Sequence, residues 1–174
     1  MKRFLCIFAA SAALGLAQPK GLYTNIELTV YAVSGLANEQ PTPAAELPDD
    51  LGATIKQLRG VFMYKSYKLI DEFTLRGRNN FGAEIGGEIP YFVGGQYDFK
   101  YGNASVGTET PRVVHINGLR LEITRRAFSN SVPVTVALVK TDIDLREGQK
   151  TVVGKSAVNG TDALFLVIVP KVIE

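Results

Sequence analysis

The chain holds one cysteine, one histidine and no tryptophan in 174 residues. Cys6 falls within the first seventeen residues, a segment with the marks of a cleavable leader, so the remainder carries no thiol. That excludes a disulfide framework and a thiolate nucleophile, and it suits an oxidising compartment, where a stray thiol is a liability. A lone His115 without cysteine is a poor zinc set, because zinc sites draw mainly on nitrogen and sulfur. A serine relay would have to use that histidine, and no Gly-x-Ser-x-Gly elbow is present. An excess of one charge is missing too. Nineteen basic residues face seventeen acidic ones, and Lys2 and Arg3 make up the surplus, so the chain beyond the leader is neutral. Neutrality removes the electrostatic case for nucleic acid. At 46% hydrophobic and 21% charged, the composition is that of a folded chain and not a disordered one.

No apolar run is long enough to cross a bilayer as a helix, which takes roughly 20 residues. The longest uninterrupted by charge early in the chain, Phe4 to Ala17, is stopped by Gln18-Pro19-Lys20. It follows the basic head Met1-Lys2-Arg3 and ends in small residues, Gly15 and Ala17, placed three and one before a cut. This is the layout of a signal peptide over 1–17, with export to the periplasm or the medium as its consequence.

Beyond it, Ile26, Leu28 and Val30 alternate with Glu27, Thr29 and Tyr31, which predicts a strand with one buried face. Pro48-Asp49-Asp50 opens a helix, with acids where the helix dipole favours them. Leu51, Ile55, Leu58 and Phe62 follow at amphipathic spacing. Tyr67, Leu69, Phe73 and Leu75 share one parity and predict a strand from Ser66 to Arg76, and Phe81 to Ile89 reads as a glycine-rich strand. The first half, 18–90, is therefore βαββ. The second, 91–174, reads as antiparallel β, either a separate module or continuous with the first. Within it Asn117-Gly118 lies between two alternating runs, which predicts a two-residue hairpin. That register sets Ile116 opposite Leu119, Val114 opposite Leu121 and His115 opposite Arg120. Another strand is expected over Val132 to Lys140, a turn at Glu147-Gly148, and a strand buried on both faces over Ala163 to Val169. The fold class is α+β, β-rich, with one helix.

Motifs that carry chemistry are mostly incomplete. Gly154-Lys155-Ser156 ends like a phosphate-binding loop, but Gln149 stands where the first glycine belongs and no helix pattern follows. Asp142-Ile143-Asp144 begins like a calcium loop, but Arg146 and Glu147 occupy the ligand and glycine positions. No cofactor and no metal is implied. Tyr97, Phe99 and Tyr101 alternate along one strand and are either a buried face or an aromatic platform for a sugar or peptide. Lys56 and Arg59 fall on the exposed side of the helix and are candidate interface residues.

Asp144-Leu145-Arg146-Glu147-Gly148-Gln149-Lys150-Thr151-Val152-Val153-Gly154 resembles the late β-hairpin of bacterial secretins, the outer-membrane channels of type II and III secretion and of type IV pili. In that family a Gly-Gln or Gly-Glu turn precedes Thr-Val-Val-Ile-Gly-Gly. The closing run from Leu164 to Ile173 is similar to the apolar strand and Thr-Pro-Arg that end a secretin core, with Val169 for the threonine and Lys171 for the arginine. The βαββ half looks like the small periplasmic domains of secretin rings. The chain is too short for the channel itself, so the resemblance implies a small secretin-related envelope protein. Its work would be contact with a protein partner in the envelope or self-association, without covalent chemistry and without a transmembrane span. A secreted carbohydrate- or peptide-binding β domain using Tyr97, Phe99 and Tyr101 is the alternative, and a hydrolase built on converging carboxylates is a third.

Overall fold

The computed structural model describes residues 24–38, 47–89, 94–126, 131–158 and 160–174. The segment expected to be a signal peptide, 1–17, lies outside them. Among the described residues eight strands form two four-stranded antiparallel sheets, with one short helix on the outer side of one of them: a β-rich α+β fold. The elements run β1 (Asn25–Leu36), a 3-10 turn (Asp49–Leu51), α1 (Gly52–Val61), β2 (Ser66–Arg78) and β3 (Phe81–Glu88). After them come β4 (Gly95–Val106), β5 (Val113–Arg125), β6 (Val134–Arg146), β7 (Thr151–Val158) and β8 (Asp162–Ile173). One sheet has the order β2-β1-β8-β7 and is called sheet A here; sheet B has the order β3-β4-β5-β6. β3 thus leaves β1 and β2 for the other sheet. β8, from the second half of the chain, pairs with β1 along its whole length.

The two sheets face each other over the main core. β1 contributes Ile26, Leu28, Val30 and Ala32, β4 Phe99 and Tyr101, β5 Leu119, Leu121 and Ile123, and β8 Leu164, Leu166 and Ile168. A second core lies on the outer side of sheet A. There Tyr31, Val33, Ala163, Phe165 and Val167 meet Leu51, Ile55 and Leu58 of the helical segment. This explains the continuous apolar run of β8: its odd residues face the helix and its even residues face sheet B. β1 follows the same rule in its second half, so the one-faced strand expected there is covered on both sides. The helix ends as expected near Gly60; Phe62 is already extended, at φ −119° and ψ 134°. Phe62 still packs into the helix-side core, its ring 5.1 Å from that of Phe165.

The hairpin expected at Asn117-Gly118 is not formed. Val113–Arg125 is one continuous strand, paired with β4 on one side and β6 on the other. A type I′ turn needs positive φ at both central residues, and here only Gly118 has it, at 67°. The dipeptide is instead a β-bulge: Ile116 pairs with Ile143 and Leu119 with Thr141, so β5 carries one residue more than β6 across this step. The apolar face therefore changes parity, from Val114 and Ile116 to Leu119 and Leu121, as it would across a turn. Opposite His115 stand Ser105 and Asp144, and Arg120 lies opposite Lys100 and Lys140. A second bulge divides β2. Ala32 pairs with Asp71 and Val33 with Leu69, leaving Ile70 as the extra residue. Tyr67 and Leu69 consequently face the helix, while Phe73 and Leu75 face sheet B, although all four share one parity in the sequence.

Candidate functional site

α1 lies across the outer side of sheet A, held at its start by Asp50. The Tyr31 hydroxyl donates to Oδ2 of Asp50 over 2.8 Å, and the Lys150 ammonium sits 3.2 Å from the same oxygen. Burial alone would raise the Asp50 carboxyl, but these two partners outweigh it and hold the group below the ordinary carboxylate value. Burial, followed by the bond to Asp50, pushes the Tyr31 hydroxyl well above its usual value. The segment entering the helix stands off from it and leaves a groove of about 430 Å³. Leu47, Pro48 and Ile55 supply apolar lining, and Lys56 and Arg59 line it together with one acid, Asp49. The Arg59 guanidinium also lies over the Tyr67 ring, 5.9 Å from its centroid. The two helix residues singled out by the sequence are thus brought together at one surface. Leu47 and Pro48 were missed, since nothing in a proline-containing loop marks it as the wall of a groove.

The aromatic strand residues fall mainly inside. Phe99 is fully buried and Tyr101 is 3% exposed, both in the core between the sheets. Tyr97 is partly buried and stacks on Phe73 of β2, with centroids 4.5 Å apart. The three do not make a solvent-facing platform. Burial raises the Tyr101 hydroxyl, which has no hydrogen-bond partner and points at Gly77.

The outer face of sheet B is polar. Lys100 bonds Asp98 over 2.6 Å, Arg120 bonds Glu122, and the Thr135 hydroxyl donates to Glu122 over 2.7 Å. The bonds from Thr135 and Arg120 hold the Glu122 carboxyl below its ordinary value. On the same face Ser105, His115 and Asp144 stand side by side on β4, β5 and β6, and Nδ1 of His115 lies 2.7 Å from Oδ1 of Asp144. Sequence reasoning missed this row because it depends on the register of three strands. These are the residue types of an acyl-transfer relay, but Ser105 makes no hydrogen bond to the ring. The N–H groups of Ser105 and His115 belong to the two central strands of sheet B, which are paired on both sides, and the Gly118 N–H at the bulge is taken by Oδ1 of Asp142 over 2.6 Å. Gly154-Lys155-Ser156 lies in β7, where the Lys155 ammonium sits 5.1 Å and 5.4 Å from the ring centres of Phe62 and Tyr64. Among the described residues no group of three or more His, Cys, Asp or Glu is arranged to hold a metal ion. Among them, also, no helix is long and apolar enough to cross a membrane.

Comparison of the chain with protein-family models, with curated proteins and with solved structures finds no match.

Proposed function

We propose that this protein is an exported, non-enzymatic interaction module of the bacterial cell envelope, attached to a secretion or type IV pilus apparatus. Its means of action is protein–protein contact at the α1 surface. The observation that carries the reading is the groove beside α1, where an apolar wall of Leu47, Pro48 and Ile55 meets two cations, Lys56 and Arg59, that outnumber the single acid Asp49. Apolar lining with a few placed charges suits an extended or helical segment that anchors an apolar side chain and presents a carboxylate. The likeness of the Asp144–Gly154 and Leu164–Ile173 stretches to secretin cores, and of the βαββ half to secretin periplasmic domains, supplies the cellular context.

The test is capture of the tagged protein from its own envelope at native expression, with co-purifying proteins identified by mass spectrometry. Recovery of secretion or pilus components, lost in a Lys56→Glu, Arg59→Glu double variant that folds normally, supports the reading. Recovery unchanged by the double variant, or a clean preparation without such components, overturns it.

A further inference from the structure

Among the described residues each sheet ends in two edge strands, β2 and β7 in sheet A, β3 and β6 in sheet B. An edge strand exposes unpaired N–H and C=O groups, and proteins blunt such edges with lysine, proline and bulges. Three of the four edges carry these guards. β2 has Lys68 and the bulge at Ile70. β7 has Lys155 and a bulge at Val153. β6 follows Pro133, contains Lys140 and a bulge at Val136, and its Leu138 N–H is taken by the Ser156 hydroxyl. β3 has none of them. It contains neither lysine nor proline, and the irregularity in its ladder falls on β4, where Gly102 and Asn103 stand against Gly82.

The polarity of this edge follows from one bond. Ile89 donates its N–H to Gly95 of β4 over 3.0 Å. Backbone direction alternates along a strand and the β3–β4 register is constant from Ala83 onward. Odd residues of β3 are therefore bonded to β4, and Glu84, Gly86 and Glu88 turn their N–H and C=O groups outward. A second β3 arriving antiparallel must set these even residues opposite one another. Centred on Glu84, such a pairing places Glu84 against itself; centred on Gly86, it places Glu84 against Glu88. Both oppose like charges directly, which is unfavourable across a ladder. Centred on Ile85, it places Glu84 against Gly86 and Ala83 against Gly87, with Ile85 meeting its own copy. No charge then faces a like charge, and Phe81 to Ile89 pair over their whole length, which a centre at Ala83 or Gly87 would shorten.

We infer that β3 pairs with β3 of a second copy about Ile85, joining two B sheets into one eight-stranded sheet around a two-fold axis. This is an isologous contact, the commonest closed form. It lies at the edge of sheet B, away from the groove on the outer side of sheet A, and does not depend on what that groove binds.

The experiment is molar mass by light scattering across a concentration series, on the wild-type chain and on Glu84→Pro. That proline removes an outward N–H and leaves every β3–β4 bond in place. The expected result is a mass that doubles with concentration in the wild type and a loss of that doubling in Glu84→Pro. Ile85→Cys in a Cys6→Ala background provides a second reading that does not depend on the folding of the proline variant. Directly opposed residues at a non-hydrogen-bonded site have Cβ atoms about 4.5–5.5 Å apart, close enough for a disulfide after small adjustment. A disulfide dimer forms on mild oxidation with cysteine at 85 and not with cysteine at 88. A wild type of single-copy mass at every concentration overturns the inference. So does a dimer that is kept by a folded Glu84→Pro variant, or one that cysteine at 85 does not cross-link.

Discussion

The outer faces of the two sheets are built from the same kind of strand and end in different states. Sheet A is covered by α1 and the segment leading into it, so Val33, Phe165 and Val167 are fully buried on the side away from sheet B. Among the described residues sheet B has no such cover, and its outer face carries Asp98, Lys100, Arg120, Glu122, His115 and Asp144. The difference teaches that a covering helix, and not strand propensity, decides whether a strand alternates or runs apolar throughout.

The sharpest way to break that comparison is to delete a side chain from each outer face. Phe165→Ala removes a ring in contact with Phe62, Tyr64 and Tyr67 and is expected to cost about 3–5 kcal/mol of unfolding free energy. Lys140→Ala, on the outer face of β6, is expected to stay within about 0.5 kcal/mol of wild type. Urea unfolding reads both, and a comparable loss at Lys140 would mean that sheet B is covered as well.

The space between the sheets can be probed next, at the close approach of Gly77 to Tyr101. A Cβ on Gly77 would lie 2.0 Å from the Tyr101 hydroxyl oxygen and 3.2 Å from the Ala83 methyl. Gly77→Ala is expected to cost about 1–3 kcal/mol through overpacking. Tyr101→Phe should return much of that loss. Alone it should be neutral or stabilising, since it removes a buried hydroxyl that bonds to nothing. Thermal unfolding of the four proteins in this cycle gives the coupling, and simple additivity would sink the argument.

A smaller effect separates bulge from turn within sheet B. Gly118→Ala meets no atom nearer than 3.5 Å, so its cost should be the left-handed backbone alone, about 1–2 kcal/mol. A much larger loss would mean that packing, and not φ, selects glycine there.

The smallest effect lies at the attachment of the cover to sheet A. The Asp50 carboxyl is lowered in the folded protein, so its contribution is present above the unfolded value of about 3.9 and fades as pH falls through the lower folded value. Asp50 is about half exposed, so solvent screening keeps the contribution near 0.5 kcal/mol or less. Asp50→Asn should therefore melt slightly below wild type at neutral pH and together with it in strong acid. A gap that persists there would show that the carboxylate charge is not what holds the helix.

Much of the architecture is legible in the sequence. The stripe of Leu51, Ile55 and Leu58 gives the helix and its buried side, and the run from Ala163 to Val169 marks a strand covered twice. The bulges are not legible. Asn117-Gly118 changes the parity of the apolar face whether it turns the chain or only swells a strand, and the two differ in which strands lie alongside. Tyr67, Leu69, Phe73 and Leu75 show the converse, one parity in sequence and two faces in space. Of the candidate site, Lys56 and Arg59 follow from helical spacing. The groove wall at Leu47 and Pro48 and the row of Ser105, His115 and Asp144 need tertiary register, which no local pattern contains.

The pairing of β1 with β8 has a consequence for how the chain comes to be folded. β1 lies between β2 and β8, and the register runs antiparallel from Asn25 against Ile173 to Gly35 against Ala163. The earliest described strand therefore waits for the latest before sheet A can close, and contacts so distant along the chain form slowly. A nascent chain still short of β8 has one side of β1 unpaired and lacks Ala163, Phe165 and Val167 from the floor under α1, which makes early completion of this fold unfavourable. For a chain exported as proposed above, that delay is useful, because the last strand to emerge is the one that locks the rest.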